Sequence, residues 1–182
     1  MRNAVVAFLS VCRLALLSLV RRGVKFNPVQ DISPSSKVSV EKGGKLTLGA
    51  RTHLRPRALI HVLSGGNMRL GAHCYMGQGS IITCKGEVTV GDGVSFGPNV
   101  TVYDHDHVFG VDGGFRREEY TTAPVVIGKD VWIGAGTIIL RGTNIGDNCV
   151  VGAGCLLKGD YPPGSLIIQK RTTSVKPIKP VQ

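Results

Sequence analysis

The sequence predicts an all-β solenoid, a parallel β-helix wound from six-residue units. Three observations carry that expectation. An aliphatic or Phe side chain recurs every six residues at Val90, Phe96 and Val102, and again at Ile127, Ile133, Ile139, Ile145, Val151 and Leu157. Gly follows nearly every opener, at Gly91, Gly97, Gly128, Gly134, Gly146 and Gly152. A small or β-branched residue stands four places after the opener, as at Val94, Val100, Val131, Thr137, Thr143, Cys149 and Cys155. A period of six fits neither an amphipathic helix nor one long alternating strand. It fits a coil of short flat faces, each ~20 Å long. The opener points into the coil, the small residue shares the tight interior, and Gly permits close approach or positive φ at the corners. Stacked coils of this kind bury one another rung by rung.

Taken in order, residues 1–26 form an N-terminal apolar and basic helix. Ala4–Val20 is the most apolar run, interrupted by Arg13. It is at the short limit for a membrane span, and a mid-span Arg costs roughly 2.5–3.5 kcal/mol. Arg2, Asn3, Ser10, Arg13 and Arg21 gather on about one quadrant of a helical wheel, so the segment reads as an amphipathic helix. It is expected either to lie on a membrane, with Arg21, Arg22 and Lys25 at phosphate level, or to pack on the column or a sister subunit. No Ala-x-Ala site precedes Arg21, which argues against a signal peptide. Residues 27–37, with Pro28 and Pro34, read as a linker. The solenoid is expected over 38–168, with slips near Ser64–Asn67 and Lys85–Gly86 and an active-site loop inserted at 103–126. A basic tail, 169–182, follows.

Charge is unevenly placed. Residues 1–60 hold eleven of the 22 Lys and Arg against only Asp31 and Glu41, nearly all of the formal +10. A basic end suits an anionic neighbour. The absence of aromatic interleaving or a binding motif argues against nucleic acid. The five Cys form no CxxC pair, and Cys149 and Cys155 fall in the inward slot, so they read as reduced thiols of a cytoplasmic protein. His53, His61 and His73 read as surface or corner residues.

Chemistry concentrates in Asp104-His105-Asp106-His107. Two His two residues apart on a strand point the same way and could share a metal. Neutral imidazole is equally suited to act as a general base, with Asp104 or Asp106 fixing its tautomer.

The segment Asn99–His107, the loop after it, Asp130–Gly134, and Val151–Gly154 with Asp160–Pro163 resemble the hexapeptide-repeat acyltransferases. The nearest likeness is to their galactoside, maltose and polysaccharide O-acetyltransferase branch, over about residues 68–168. The resemblance implies a left-handed β-helix, a homotrimer with active sites between subunits, and acetyl-coenzyme A as donor with no metal. It implies His107 as the base, eight residues after Asn99; Asp104 and Asp106 are the candidate catalytic partners. Asn99, Tyr103 and His105 would meet a saccharide acceptor. Trp132, Gly134, Ala135, Gly152 and Ala153 would line the pantetheine path, and Lys158, Lys170 and Arg171 would meet the cofactor's phosphates. Lys158-Gly159 stands where the branch has Thr-Lys, and Gln169–Thr172 replaces its Gly-x-Pro-Ala. The basic N-terminus suggests an acceptor made at a membrane, with the protein peripheral at its inner face. The alternatives are a hydratase like the gamma-class carbonic anhydrases, taking a third His from His73 or a neighbouring chain, and a non-catalytic scaffold.

Overall fold

The structure, a computed structural model, describes residues 2–110, 114–170 and 172–175. From Val24 the chain winds through six coils of three strands and two strands of a seventh. Equivalent strands stack in parallel into three faces. The first runs from Val24–Phe26 to Asp160–Tyr161, the second from Gln30–Ile32 to Leu166–Ile167, and the third from Lys37–Val40 to Leu156–Leu157. This is the expected parallel β-helix.

The six-residue frame is the packing frame. Openers stack on openers, as in Phe96↔Ile133↔Val151 and Val102↔Ile139↔Leu157. All six are at most 1% exposed, and full burial of such side chains is worth ~1.5–3 kcal/mol each. The small residues four places on are buried beside them. Polar ones satisfy themselves on the next coil: Thr137 Oγ1 donates to Gly152 O at 3.1 Å, and Cys149 Sγ donates to Pro162 O at 3.2 Å. All five Cys are free thiols. The Gly after the opener is a close-approach Gly. A Cβ on Gly91 would lie 2.7 Å from the carbonyl carbon and oxygen of Gly128.

The solenoid starts earlier than the sequence suggested. The helix, α1 (Arg2–Val20), ends six residues before the expected boundary, and Val24–Phe26 already pairs with Leu46–Leu48. The supposed linker contains Gln30–Ile32, which pairs with Thr52–Leu54. Pro28 and Pro34 stand outside its strands. The slips come from longer faces: Lys45–Leu48, Asn67–Leu70 and Glu87–Val90 each hold two inward residues rather than one.

The first coil has no coil before it, and α1 supplies the partners its backbone would otherwise lack. Ser10 Oγ accepts from Ile32 N at 3.0 Å and donates to Val6 O. Arg13 donates to Ser36 O at 2.7 Å and Ser33 O at 3.3 Å, and Arg21 Nε to Val40 O at 2.9 Å. Leu14 is buried against the same coil. The polar stripe therefore faces the column. At the other end the Gln169 side chain brackets Leu156, accepting from its N at 2.8 Å and donating to its O at 2.6 Å, in place of a further third-face strand.

Candidate active site

At Tyr103 the third face of the fourth coil ends and the chain leaves the column. It forms an antiparallel hairpin of His105–Gly110 and Gly114–Thr122 before rejoining at Val125. Asp104 is the hinge post. Its side chain turns inward and is wholly buried. Oδ1 accepts from Lys85 N at 2.8 Å and from His105 Nδ1 at 2.8 Å, and Oδ2 accepts from Gly86 N at 2.7 Å. Burial alone would raise this carboxyl. The His105 contact and the two amides outweigh burial and hold it below the ordinary carboxylate range. Cys84 Sγ sits 3.6 Å from Oδ2. Burial first, and then the neighbouring carboxylate, push its thiol up to about 12.

Strand alternation sorts the loop residues. His105 pairs with Thr122, Asp106 with Thr121 and His107 with Tyr120. His105 and His107 share one side, where the Tyr120 ring stands between them. Its centroid is 4.7 Å from the His107 ring at a 37° tilt and 5.3 Å, edge-on, from that of His105. Tyr103 meets His105 edge-on at 5.9 Å, and Lys85 Nζ stands 5.1 Å above the Tyr120 ring. Asp106 points the other way and pairs with Arg141. So the two carboxylates expected beside His107 are committed elsewhere, Asp104 to His105 and Asp106 to Arg141. Sequence adjacency suggested otherwise because it ignores both the inward turn of Asp104 and the alternation of the strand.

Arg141, Tyr120 and Lys85 were not foreseen. Arg141 had a signal: Val102 pairs with Ile139, so the frame puts Arg141 directly beneath Asp104 in the stack. Lys85 had the same signal, because Val102 also pairs with Ile82 and the frame then sets Lys85 beside His105. Tyr120 had none, because a hairpin's register is not visible in its polar residues.

The remaining candidates lie elsewhere. Trp132, 59% exposed, is on the second face. Gly134, Ala135, Gly152 and Ala153 stack at the second-to-third corner, where a Cβ on Gly134 would meet Ala153 N at 2.5 Å. Asn99 belongs to the same corner column with φ 55, a left-handed position that Asn tolerates. Lys158 is exposed beyond the third face and Lys170 beyond the last second-face strand. Arg171 lies outside the described residues. The third face thus separates the histidine hairpin from the Trp132–Gly152 column within one chain. Among the described residues, no three His, Cys, Asp or Glu side chains converge as a metal set. His53 pairs with Asp31 and His61 with Glu41, and His73 turns a corner at φ 58. A cleft of about 430 Å³ lies away from the hairpin, between α1 and the first coil.

A family model, bacterial transferase hexapeptide (six repeats), matches residues 124–159. The chain carries the hexapeptide repeat of bacterial transferases. Galactoside O-acetyltransferase of Lactococcus lactis is 43% identical over 76 residues, 42% of this chain and 36% of that protein. Nodulation protein L of Rhizobium meliloti is 43% identical over 98 residues, 53% of this chain and 52% of its own length. The chain thus spans about a third to a half of the curated relatives it matches. Among solved structures, a hexapeptide-repeat acetyltransferase of Vibrio cholerae complexed with acetyl-coenzyme A has a TM-score of 0.54 at 30% identity, covering 64% of this chain and 62% of that one. The N-acyltransferase AntD of Bacillus cereus shares the fold of the hexapeptide column, with a TM-score of 0.63 at 17% identity over 88% of this chain and 89% of its own.

Proposed function

We propose that the protein transfers an acyl group, acetyl, from a coenzyme A thioester to a hydroxyl of a sugar or polysaccharide precursor, with His107 as general base. The observation that carries this reading is the His105–Tyr120–His107 cluster, held on a hexapeptide column by the buried Asp104 post. In the reaction His107 takes the hydroxyl proton as the oxygen attacks the thioester carbonyl. The tetrahedral intermediate collapses with loss of the coenzyme A thiolate, which takes up the proton from the imidazolium. The Trp132–Gly134–Gly152 column and the hairpin are on different parts of one chain, which favours a site completed by a neighbour and hence a homotrimer. Peripheral association with an anionic membrane belongs to the same reading, drawn from the basic residues 1–60.

One observation favours a second assignment of the base. Asp104 is held in its ionised form, so His105 Nδ1 donates to it, and in the neutral ring Nε2 is the acceptor. That is the orientation a general base requires. The test is thiol release from acetyl-coenzyme A with a panel of sugar acceptors. His107→Ala should lower turnover ~10²–10⁴-fold and leave the oligomer intact. Loss in His105→Ala with retention in His107→Ala would move the role to His105. No thiol release with any hydroxyl acceptor would refute acyl transfer.

A further inference from the structure

The helix that closes the column turns Ser10, Arg13, Leu14 and Arg21 toward the first coil and a stripe of apolar residues outward. Val5, Phe8, Leu9, Leu16, Leu19 and Val20 are all exposed, Phe8 by 68% and Leu19 by 81%. Their spacing of three, four and seven makes one continuous stripe along α1. No charge interrupts it, because Arg13 and Arg21 are spent on the carbonyls of the first coil. Cations lie on the coil beneath it: Lys42 on the turn into the second coil and Lys45 at the start of its first face, both in a cleft with Val20, then Arg51, Arg55 and Arg57 at the next two corners. Arg51 and Arg57 hold φ of 55° and 61°, where Gly would turn the corner without strain, so the turn does not account for their being Arg. Only Asp31 and Glu41 oppose these cations in residues 1–60, and both are engaged. Asp31 meets His53 at 3.1 Å, and Glu41 meets His61 at 3.2 Å and the Ser64 amide at 3.0 Å.

We infer that this end of the column docks flat on an anionic phospholipid bilayer. The stripe of α1 enters the interface, the corner cations of the second coil meet lipid phosphates, and the column stands off the surface. This rests on the peripheral-membrane reading above and fixes its geometry, while being independent of acyl transfer. Among the described residues no helix is long and apolar enough to cross a bilayer, so α1 lies in the plane of the interface. A second copy of the chain is the competing apolar partner. It would bring two like sets of cations face to face with no free carboxylate between them, whereas anionic lipid complements both the stripe and the cations beneath it. With coils stacked ~4.8 Å apart, the hairpin leaving the fourth coil stands roughly 15 Å beyond the first. With α1, ~10 Å across, lying between the first coil and the lipid, the histidines stand roughly 25 Å from the helix axis, and the fifth coil with Trp132 another ~5 Å further out.

The experiment uses the full-length protein and vesicles of phosphatidylglycerol and phosphatidylcholine in equal parts, with pure phosphatidylcholine as comparison. The protein should float with the anionic vesicles at low salt and not with the neutral ones. Leu16→Glu with Leu19→Glu replaces exposed residues, so it should keep the native circular dichroism yet weaken partitioning at least about tenfold. Lys42→Gln with Lys45→Gln and Arg55→Gln should weaken it and flatten its salt dependence. Orientation is read from the one native tryptophan. Brominated lipid should leave Trp132 emission unchanged, while Leu16→Trp adds a quenched component. No flotation overturns the membrane reading itself. Flotation with Trp132 quenched overturns the end-on geometry alone. Self-association that is abolished by Leu16→Glu with Leu19→Glu, without vesicle binding, assigns the face to a second copy. Acetyl transfer to a soluble acceptor is measured separately and does not depend on any of these outcomes.

Discussion

Asp104→Asn tests whether one buried carboxylate joins the hairpin to the column. The carboxylate receives the Lys85 amide and His105 Nδ1 on one oxygen and the Gly86 amide and Cys84 thiol on the other. An asparagine keeps one acceptor and turns an NH2 group toward the other pair of donors. The least costly arrangement points the NH2 at His105, which can shift its proton to Nε2 and accept. The Lys85 amide is then orphaned, at about 1–3 kcal/mol, and the Gly86 amide loses its charged acceptor, at roughly another 1 kcal/mol. A total near 3 kcal/mol corresponds to a fall in Tm of roughly 6–12 °C for a chain of this size. Thermal unfolding followed by far-UV circular dichroism gives that number. Hydrogen exchange should localise it, with the Lys85 and Gly86 amides losing protection before those of the sixth coil. The pH dependence has a definite sign. Because the folded carboxyl lies below its unfolded value of 3.8, its stabilisation is present above that value and is lost as pH falls through the lower folded value. The wild-type advantage over Asp104→Asn should therefore shrink only in acid. A Tm shift under about 2 °C, or one equal to that of Asp106→Asn on the exposed Arg141 pair, would contradict the assignment of Asp104 as the post.

Gly91→Ala should be severely destabilising, because its Cβ would meet Gly128 backbone at 2.7 Å and Lys129 N at 2.8 Å, whereas Gly110→Ala meets nothing within 4 Å and should move Tm little. Comparative thermal melts decide between them. Ile133→Ala, which removes a wholly buried opener, should cost ~2–5 kcal/mol by denaturant titration. Iodoacetamide at neutral pH should label Cys12 alone in the native state and all five thiols after denaturation. Cys74 and Cys84 are the most resistant, since burial pushes them up to about 11 and about 12. Mass spectrometry of the native and unfolded protein counts the adducts.

The column from Val90 onward was legible because its interior accepts only two kinds of residue per face. The opener and the small residue four places on write that interior directly into the sequence. The first coil broke the same code for a physical reason. Gln30 and Ser36 occupy inward slots as polar residues, each about 97% buried, where an apolar frame finds nothing. They are satisfied by corner backbone: Gln30 donates to Asn27 O and Gly49 O and accepts from Thr52 N, and Ser36 donates to Ser33 O. The helix is a second case. Packing on the column was one of its two expected placements, but Ser10, Arg13 and Arg21 mark a polar stripe, and a polar stripe ordinarily meets water. Here it meets the open edge of a sheet, whose unpaired carbonyls and amides compete with water for the same donors and acceptors. Asp104 is a third case, drawn inward by the Lys85 and Gly86 amides rather than left beside His107. In each, a polar side chain is placed by backbone groups that lack a partner where the coil begins, turns or is interrupted. Such groups become visible only once the register of the coils is known. A frame-first reading that lists the backbone groups left unpaired at each end and interruption would have assigned all three.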